Sequence, residues 1–211
     1  MYLDGHYNDL KDLDMESRIL AAAESLFLQK GFKATTTTEI AKIVGCNQAL
    51  VHYYFRTKEK LFEKVFQTKI MIFADSFLNT DYSDGTFEER MRKRIGSHYD
   101  IIMENPQLPL FIINELISNP SRLEALKSVI GDTPEVVLKR LQDEIDDECA
   151  KGGIKPVRAI DLFLNILSLN ASTFIFYPMI QVIINKDRVE IENLITHRKE
   201  LIIETILKSL H

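Results

Sequence analysis

The stretch TTTTEIAKIVGCNQALVHYYF, residues 35–55, decides how this chain folds. Thr36 and Glu39 have the S/T-x-x-E spacing of a capping box, in which a hydroxyl and a carboxylate satisfy backbone N–H groups left over at a helix start. Ile40, Ala41 and Val44 then recur at helical spacing and give one short apolar face. Gly45 suits a left-handed C-terminal cap and stops that helix. Asn47 is a good N-cap for a second short helix, 48–54, with Val51 and Phe55 on its back. Two short helices around a turn of about four residues form the layout of a helix-turn-helix.

Helical periodicity continues on both sides. In 16–30, Ile19, Ala22, Ala23, Leu26 and Phe27 form one apolar face. Gly31 follows as a cap, and Phe32 is placed to pack back on the last turn. A longer helix, 58–78, carries Leu61, Phe62, Val65, Phe66, Met71, Ile72 and Phe73, and would run from the first domain into the next. Thr86 and Glu89 repeat the capping-box spacing and open a helix that Asn105-Pro106 ends. An apolar helix over 108–118 is broken by Asn119-Pro120, and a short segment, 121–130, follows. Thr133-Pro134 is an N-cap with proline at the first helical position, for a helix to Lys151. The stretch 157–184 is very apolar and reads as one long helix kinked at Pro178. Asp187 is placed to cap a last helix that ends near Leu210. The chain is therefore expected to be all-α, with about nine to ten helices.

Composition agrees. Of 211 residues, 45% are hydrophobic and 27% charged, with eight Gly and six Pro. That is too little turn punctuation for a β-sandwich or barrel, and too apolar for a disordered chain. Two cysteines cannot build a disulfide framework and point to a reducing, cytoplasmic setting. No apolar run reaches the roughly 18 residues of a membrane span, and the acidic start reads as a tail, 1–15, not a signal peptide. Net charge is −5, yet residues 16–64 hold eight Lys and Arg against five Asp and Glu. A basic segment on an acidic body fits an anion-binding head.

In a helix-turn-helix the second helix presents its first turn to the major groove. Small or polar residues are needed there, and Gln48 and Ala49 fit. Arg56, Lys58 and Lys60 follow as candidates for holding phosphate. Residues 16–61 resemble the DNA-binding domain of the TetR family of bacterial transcriptional regulators. The resemblance rests on Ile19, Ala22-Ala23, Leu26-Phe27, Gly31-Phe32, Thr36, Ile40-Ala41, Gly45, Tyr54-Phe55, Lys58-Glu59 and Leu61, in the family's order and spacing. It implies an N-terminal three-helix helix-turn-helix domain and a helical ligand-binding and dimerisation domain over 62–211. It implies a double-stranded, near-palindromic DNA operator contacted by Thr36, Thr37, Thr38, Asn47, Gln48, Ala49, Leu50, His52, Tyr53, Tyr54 and Lys58. Position 52 departs from the family, which usually has a phosphate-contacting tyrosine there. Cys46 stands where valine is usual and reads as a small hydrophobe.

The resemblance further implies a homodimer through the last two helices and a small-molecule ligand in the body. Few charges interrupt 162–184, so that ligand is expected to be apolar or aromatic with one polar handle. Candidate lining residues are Phe66, Ile70, Phe73, His98, Met103, Phe111, Asn165, Phe174 and Tyr177, with Asn170 a further polar candidate. Taken singly, each apolar one of them is better explained as part of an ordinary core. No metal-ligand spacing joins His98, Cys149 and His197, and the acidic run from Asp143 to Glu148 reads as a solvated face. No catalytic, cofactor or metal site is expected. The expected function is a ligand-released repressor. An all-helical enzyme or adaptor with a vestigial helix-turn-helix stays open, as does a ligand-independent or activating regulator.

Overall fold

The computed structural model of the chain describes residues 14–78, 84–119, 131, 133–184 and 188–211. The side chains at 73–78, 133, 134, 184, 188 and 189 lie outside that description. So do most of the expected tail, the segment 121–130 and Asp187. Ten helices and no strand occur among the described residues. They are α1 (Met15–Ala34), α2 (Thr37–Val44), α3 (Gln48–Phe55), α4 (Lys58–Leu78) and α5 (Phe87–Glu104). Then come α6 (Leu108–Ser118), α7 (Thr133–Ala150), α8 (Ala159–Ile175), α9 (Tyr177–Ile184) and α10 (Arg188–Ser209). The all-α expectation is met. The chain forms two compact units, 1–69 and 70–211, so the division falls inside α4.

The first unit is organised by an aromatic cluster. Phe27 meets Phe62 edge-on at 4.9 Å between ring centres, and Phe32 meets Phe62 at 5.1 Å. Phe62 stacks on Phe66 at 5.8 Å. Edge-to-face and offset pairs add about 0.5–1.5 kcal/mol each beyond area burial. Ile19, Ala23, Ile40, Val44 and Val51 complete this core, which is the set of apolar positions that sequence periodicity selects. Lys69 is nearly buried and pairs with Glu24 at 2.5 Å, so its charge is compensated inside the same unit.

In the second unit α8 is central, packing against α5, α6, α7, α9 and α10. Met91, Ile95 and Tyr99 of α5, Leu141 and Ile145 of α7, Leu162, Ile166 and Phe174 of α8, and Ile202, Ile206 and Leu207 of α10 share one core. Charged pairs fix the edges. Arg90 and Arg94 of α5 share the Glu144 carboxylate of α7, at 3.3 and 3.2 Å. Lys199 and Arg92 tie α5 to α10 through Asp100 and Glu204, both at 2.7 Å.

The long apolar helix expected over 157–184 is instead two helices. α8 ends at Ile175, α9 begins at Tyr177, and their axes differ by 52°. Pro178 has no N–H for the Phe174 carbonyl, so the chain breaks before the proline, which then sits in the first turn of α9 where it costs little. No single helix among the described residues is long and apolar enough to cross a membrane.

Candidate nucleic-acid interface

Local hydrogen bonds set the position of α2 and α3. Thr36 accepts from the Glu39 N–H at 3.2 Å, and Glu39 accepts from the Thr36 N–H at 3.1 Å, closing the capping box. The Lys30 ammonium, 2.6 Å from Glu39, and then the Thr36 N–H hold this carboxyl below its ordinary pKa. Gly45 takes the left-handed conformation, φ 77°, and its neighbour Cys46 donates its N–H to the Ala41 carbonyl at 2.9 Å. Asn47 then caps α3 by accepting from the Leu50 N–H at 2.8 Å. Thr36 and Asn47 thus use side-chain oxygens on the backbone, at the two helix starts.

Two anchors are tertiary. Arg18 of α1 donates to the Val44 carbonyl at the end of α2, at 2.9 Å. Lys58 of α4 donates to the Phe32 and Thr35 carbonyls, at 3.0 Å each, and its ammonium lies 4.2 Å from the centre of the Phe32 ring. A cation at the carbonyl end of a helix is favourable. The structure therefore gives Lys58 a bracing contact beneath α2, a role different from the phosphate contact expected. Neither Arg18 nor the fully buried Thr35, whose hydroxyl donates to the Gly31 carbonyl at 2.9 Å, was picked out by spacing. Their partners are set by the return of the chain, which no local pattern records.

The outward face is polar and aromatic. Ala49 and Gln48 are exposed, Leu50 is half-buried, and Val51 and Phe55 are buried behind them. Tyr53 is 67% exposed and meets the Tyr54 ring edge-on at 5.3 Å. Gln48 reaches across to α2, donating to the Thr37 hydroxyl at 2.9 Å and accepting from the Thr38 hydroxyl at 3.3 Å. His52 lies one turn further along, 3.4 Å from the Gln48 amide nitrogen. The structure thus brings Thr37, Thr38, Gln48 and His52 into one hydrogen-bonded group at the surface. Such a group can offer donors and acceptors to base edges.

The candidate ligand residues are not brought together in the same way. Phe66 is buried in the first unit, against Phe62. Met103 and Asn165 are exposed, and Tyr177 is half-buried. Ile70 and Phe111 are buried, and the Phe73 side chain lies outside the described residues. His98 and Phe174 do meet the same core: Asn170 donates to the Ile95 carbonyl at 3.0 Å and lies 2.9 Å from His98 Nδ1, while Phe174 lies 5.2 Å from the Tyr99 ring. Burial pushes the His98 ring down to about 3, so it is neutral, with Nδ1 the acceptor for Asn170. The Asn170 Oδ1 atom is buried with no hydrogen-bond partner. A surface pocket of about 220 Å³ borders Thr86, Phe87, Glu148, Leu207 and His211, and none of the candidate ligand residues lines it. Among the described residues no three His, Cys, Asp or Glu side chains cluster as metal ligands do.

Known proteins carry the same head. Residues 19–65 match the family model described as bacterial regulatory proteins, tetR family. The chain is 26% identical over 144 residues to the HTH-type transcriptional regulator YhgD of Bacillus subtilis, spanning 68% of this chain and 74% of that one. It is 23% identical over 138 residues to the fatty acid metabolism regulator protein of the same organism, spanning 65% and 70%. The TetR family transcriptional regulator PfmR of Thermus thermophilus shares the fold, with a TM-score of 0.63 and 17% identity over 89% of this chain and 97% of that one. These relatives are transcriptional regulators and not enzymes. Residues 19–65 are therefore a head of the tetR family of bacterial regulatory proteins, on a chain that is similar over about two thirds of its length to a transcriptional regulator and shares its all-helical fold with a solved one.

Proposed function

We propose that the chain is a repressor that binds a near-palindromic operator as a homodimer and is released by a small ligand with an apolar body and one polar handle. The observation that carries the reading is the exposed group Thr37, Thr38 and Gln48, held at two capped helix starts. Gln48 acts as the base reader. Thr37, Thr38, Tyr53 and Tyr54 supply hydroxyls for phosphate or base edges. Thr36, Asn47 and Lys58 keep the two helices in place. In a selection from randomised duplexes, Gln48→Ala should relax preference at one base pair per half-site. Unchanged preference would remove Gln48 from the reading set.

The homodimer has support in the second unit. Ile160 and Leu164 of α8 and Leu201 of α10 are exposed, and Phe176 at the break and Met179, Val182 and Ile183 on α9 are at least half exposed, Val182 by 80%. Apolar side chains in such numbers on adjoining helices suit a four-helix interface between two copies. Sedimentation equilibrium at micromolar concentration should give a dimer, and a stable monomer would rule the arrangement out.

The ligand class follows from the chemistry of the body and from the relative that is named a fatty acid metabolism regulator. An acyl chain fits an apolar interior such as the core shared by α5, α7, α8 and α10. Medium- and long-chain fatty acids and their thioesters should raise the unfolding temperature and weaken operator binding. At a hundredfold excess over Kd, a ligand stabilises by about 2.7 kcal/mol. No shift with any of them would discard this class of ligand and leave the DNA-binding reading intact.

A further inference from the structure

The orientation of the Gln48 amide is fixed by its neighbour one turn along. His52 Nδ1 lies 3.0 Å from the Arg56 carbonyl oxygen, which can only accept. In the neutral ring Nδ1 therefore carries the hydrogen and Nε2 is the acceptor. Gln48 answers with its NH2 group, which donates to His52 Nε2 at 3.4 Å and to Thr37 Oγ1 at 2.9 Å. The carbonyl that sets the tautomer is itself pinned. Arg56 has φ 61° and ψ −56°, and the Thr57 N–H donates to the Phe55 carbonyl across it at 2.6 Å. That is the rare, strained form of the γ-turn, and Arg56 is the one non-glycine residue with positive φ among the described residues.

Donor and acceptor counting gives the consequence. Both N–H bonds of the Gln48 amide are engaged. Its Oε1 accepts one bond, from Thr38 at 3.3 Å, and keeps a second lone pair. We infer that His52 is a positioning residue for sequence reading: it commits Gln48 to accepting, so that the protein selects a base presenting an exocyclic amino group in the major groove. Adenine N6 and cytosine N4 are the two such groups, whereas guanine and thymine offer acceptors at that edge. The two-bond reading of adenine alone needs a free amide N–H as well, and the bond to His52 withholds it. This inference rests on the reading of Gln48 as a base reader.

The test is selection of the full-length protein and its variants on randomised duplexes, with unfolding temperature measured for each. The wild type should prefer adenine or cytosine, with little distinction, at one position of each half-site. His52→Phe keeps a ring and removes the acceptor, which frees one N–H, so the preference should narrow to adenine by at least about fivefold over cytosine. His52→Gln restores an acceptor at the same reach and should return the wild-type pattern. A wild-type preference for guanine or thymine, or a His52→Gln pattern unlike the wild type, would overturn the inference. If Gln48→Ala relaxes that position while His52→Phe leaves it unchanged, the positioning role fails and the base-reading role stands. If Gln48→Ala changes nothing, base reading fails and this inference fails with it.

Discussion

Lys58 shows what one residue can and cannot disclose. Its place after the second short helix, among Arg56 and Lys60, suggests a phosphate contact. In the structure its ammonium closes the carbonyl end of the first helical segment, 23 and 26 residues earlier in the chain. Charge-assisted hydrogen bonds of this kind contribute about 1.5–3 kcal/mol. Lys58→Met, which keeps the aliphatic stem, should therefore lower stability by about that amount in urea unfolding. It should leave the salt dependence of DNA binding unaltered. Unchanged stability with a salt slope smaller by about one would return Lys58 to the phosphate. Thr36, Glu39, Gly45 and Asn47, by contrast, were legible from sequence because their partners lie within three to five residues. The Gln48 group was legible in half: the residues were selected singly, but the bonds from Thr37 and Thr38 cross from one helix to the next.

At the scale of elements, the same division holds. The starts marked by Thr36, Asn47 and Thr86 and the stop at Gly45 were found where the sequence placed them, because caps are local chemistry, whereas the first helix runs on past Gly31 to Ala34. The break between α8 and α9 was placed two residues late, since a proline disrupts the turn before it and not the one it occupies. The turn between α2 and α3 depends on Gly45, where open space surrounds the missing Cβ and only the left-handed backbone is at stake. Gly45→Ala should cost about 1–2 kcal/mol from that strain alone. It should lower the unfolding midpoint without changing which bases the protein selects. Between α5 and α8 the neutral His98 gives a pH signature. Its pKa in the fold, about 3, lies below the unfolded value, so the unfolded chain binds the proton first as pH falls. Stability is full above about pH 6.5 and is lost on acidification, by up to roughly 1.4 kcal/mol per pH unit from this group. The ring resonances of His98 should stay in their neutral positions from pH 7 to pH 4. Titration near pH 6 would mean that water reaches the ring in the native state.

For the whole molecule, the apolar surface left on α8, α9 and α10 and the polar group on α2 and α3 belong to one proposal: two copies, two heads, one duplex. The core of each unit was legible in the apolar periodicity. The ligand-facing residues were not, because an apolar side chain that lines a cavity and one that fills a core obey the same pattern. His98 and Asn170 emerged from the structure as a buried polar pair, while Met103 and Asn165 turned to solvent. The central claim is that this chain reads duplex DNA through the first turn of α3, as a two-fold dimer. Selection of the wild-type protein on randomised duplexes tests it most directly. The account predicts a near-palindromic consensus whose half-site centres lie one helical turn apart, about 34–36 Å, or a multiple of that, with the Gln48→Ala variant losing preference at one position in each half. Recovery of no consensus, or of a single asymmetric site that Gln48→Ala reads equally well, would contradict it.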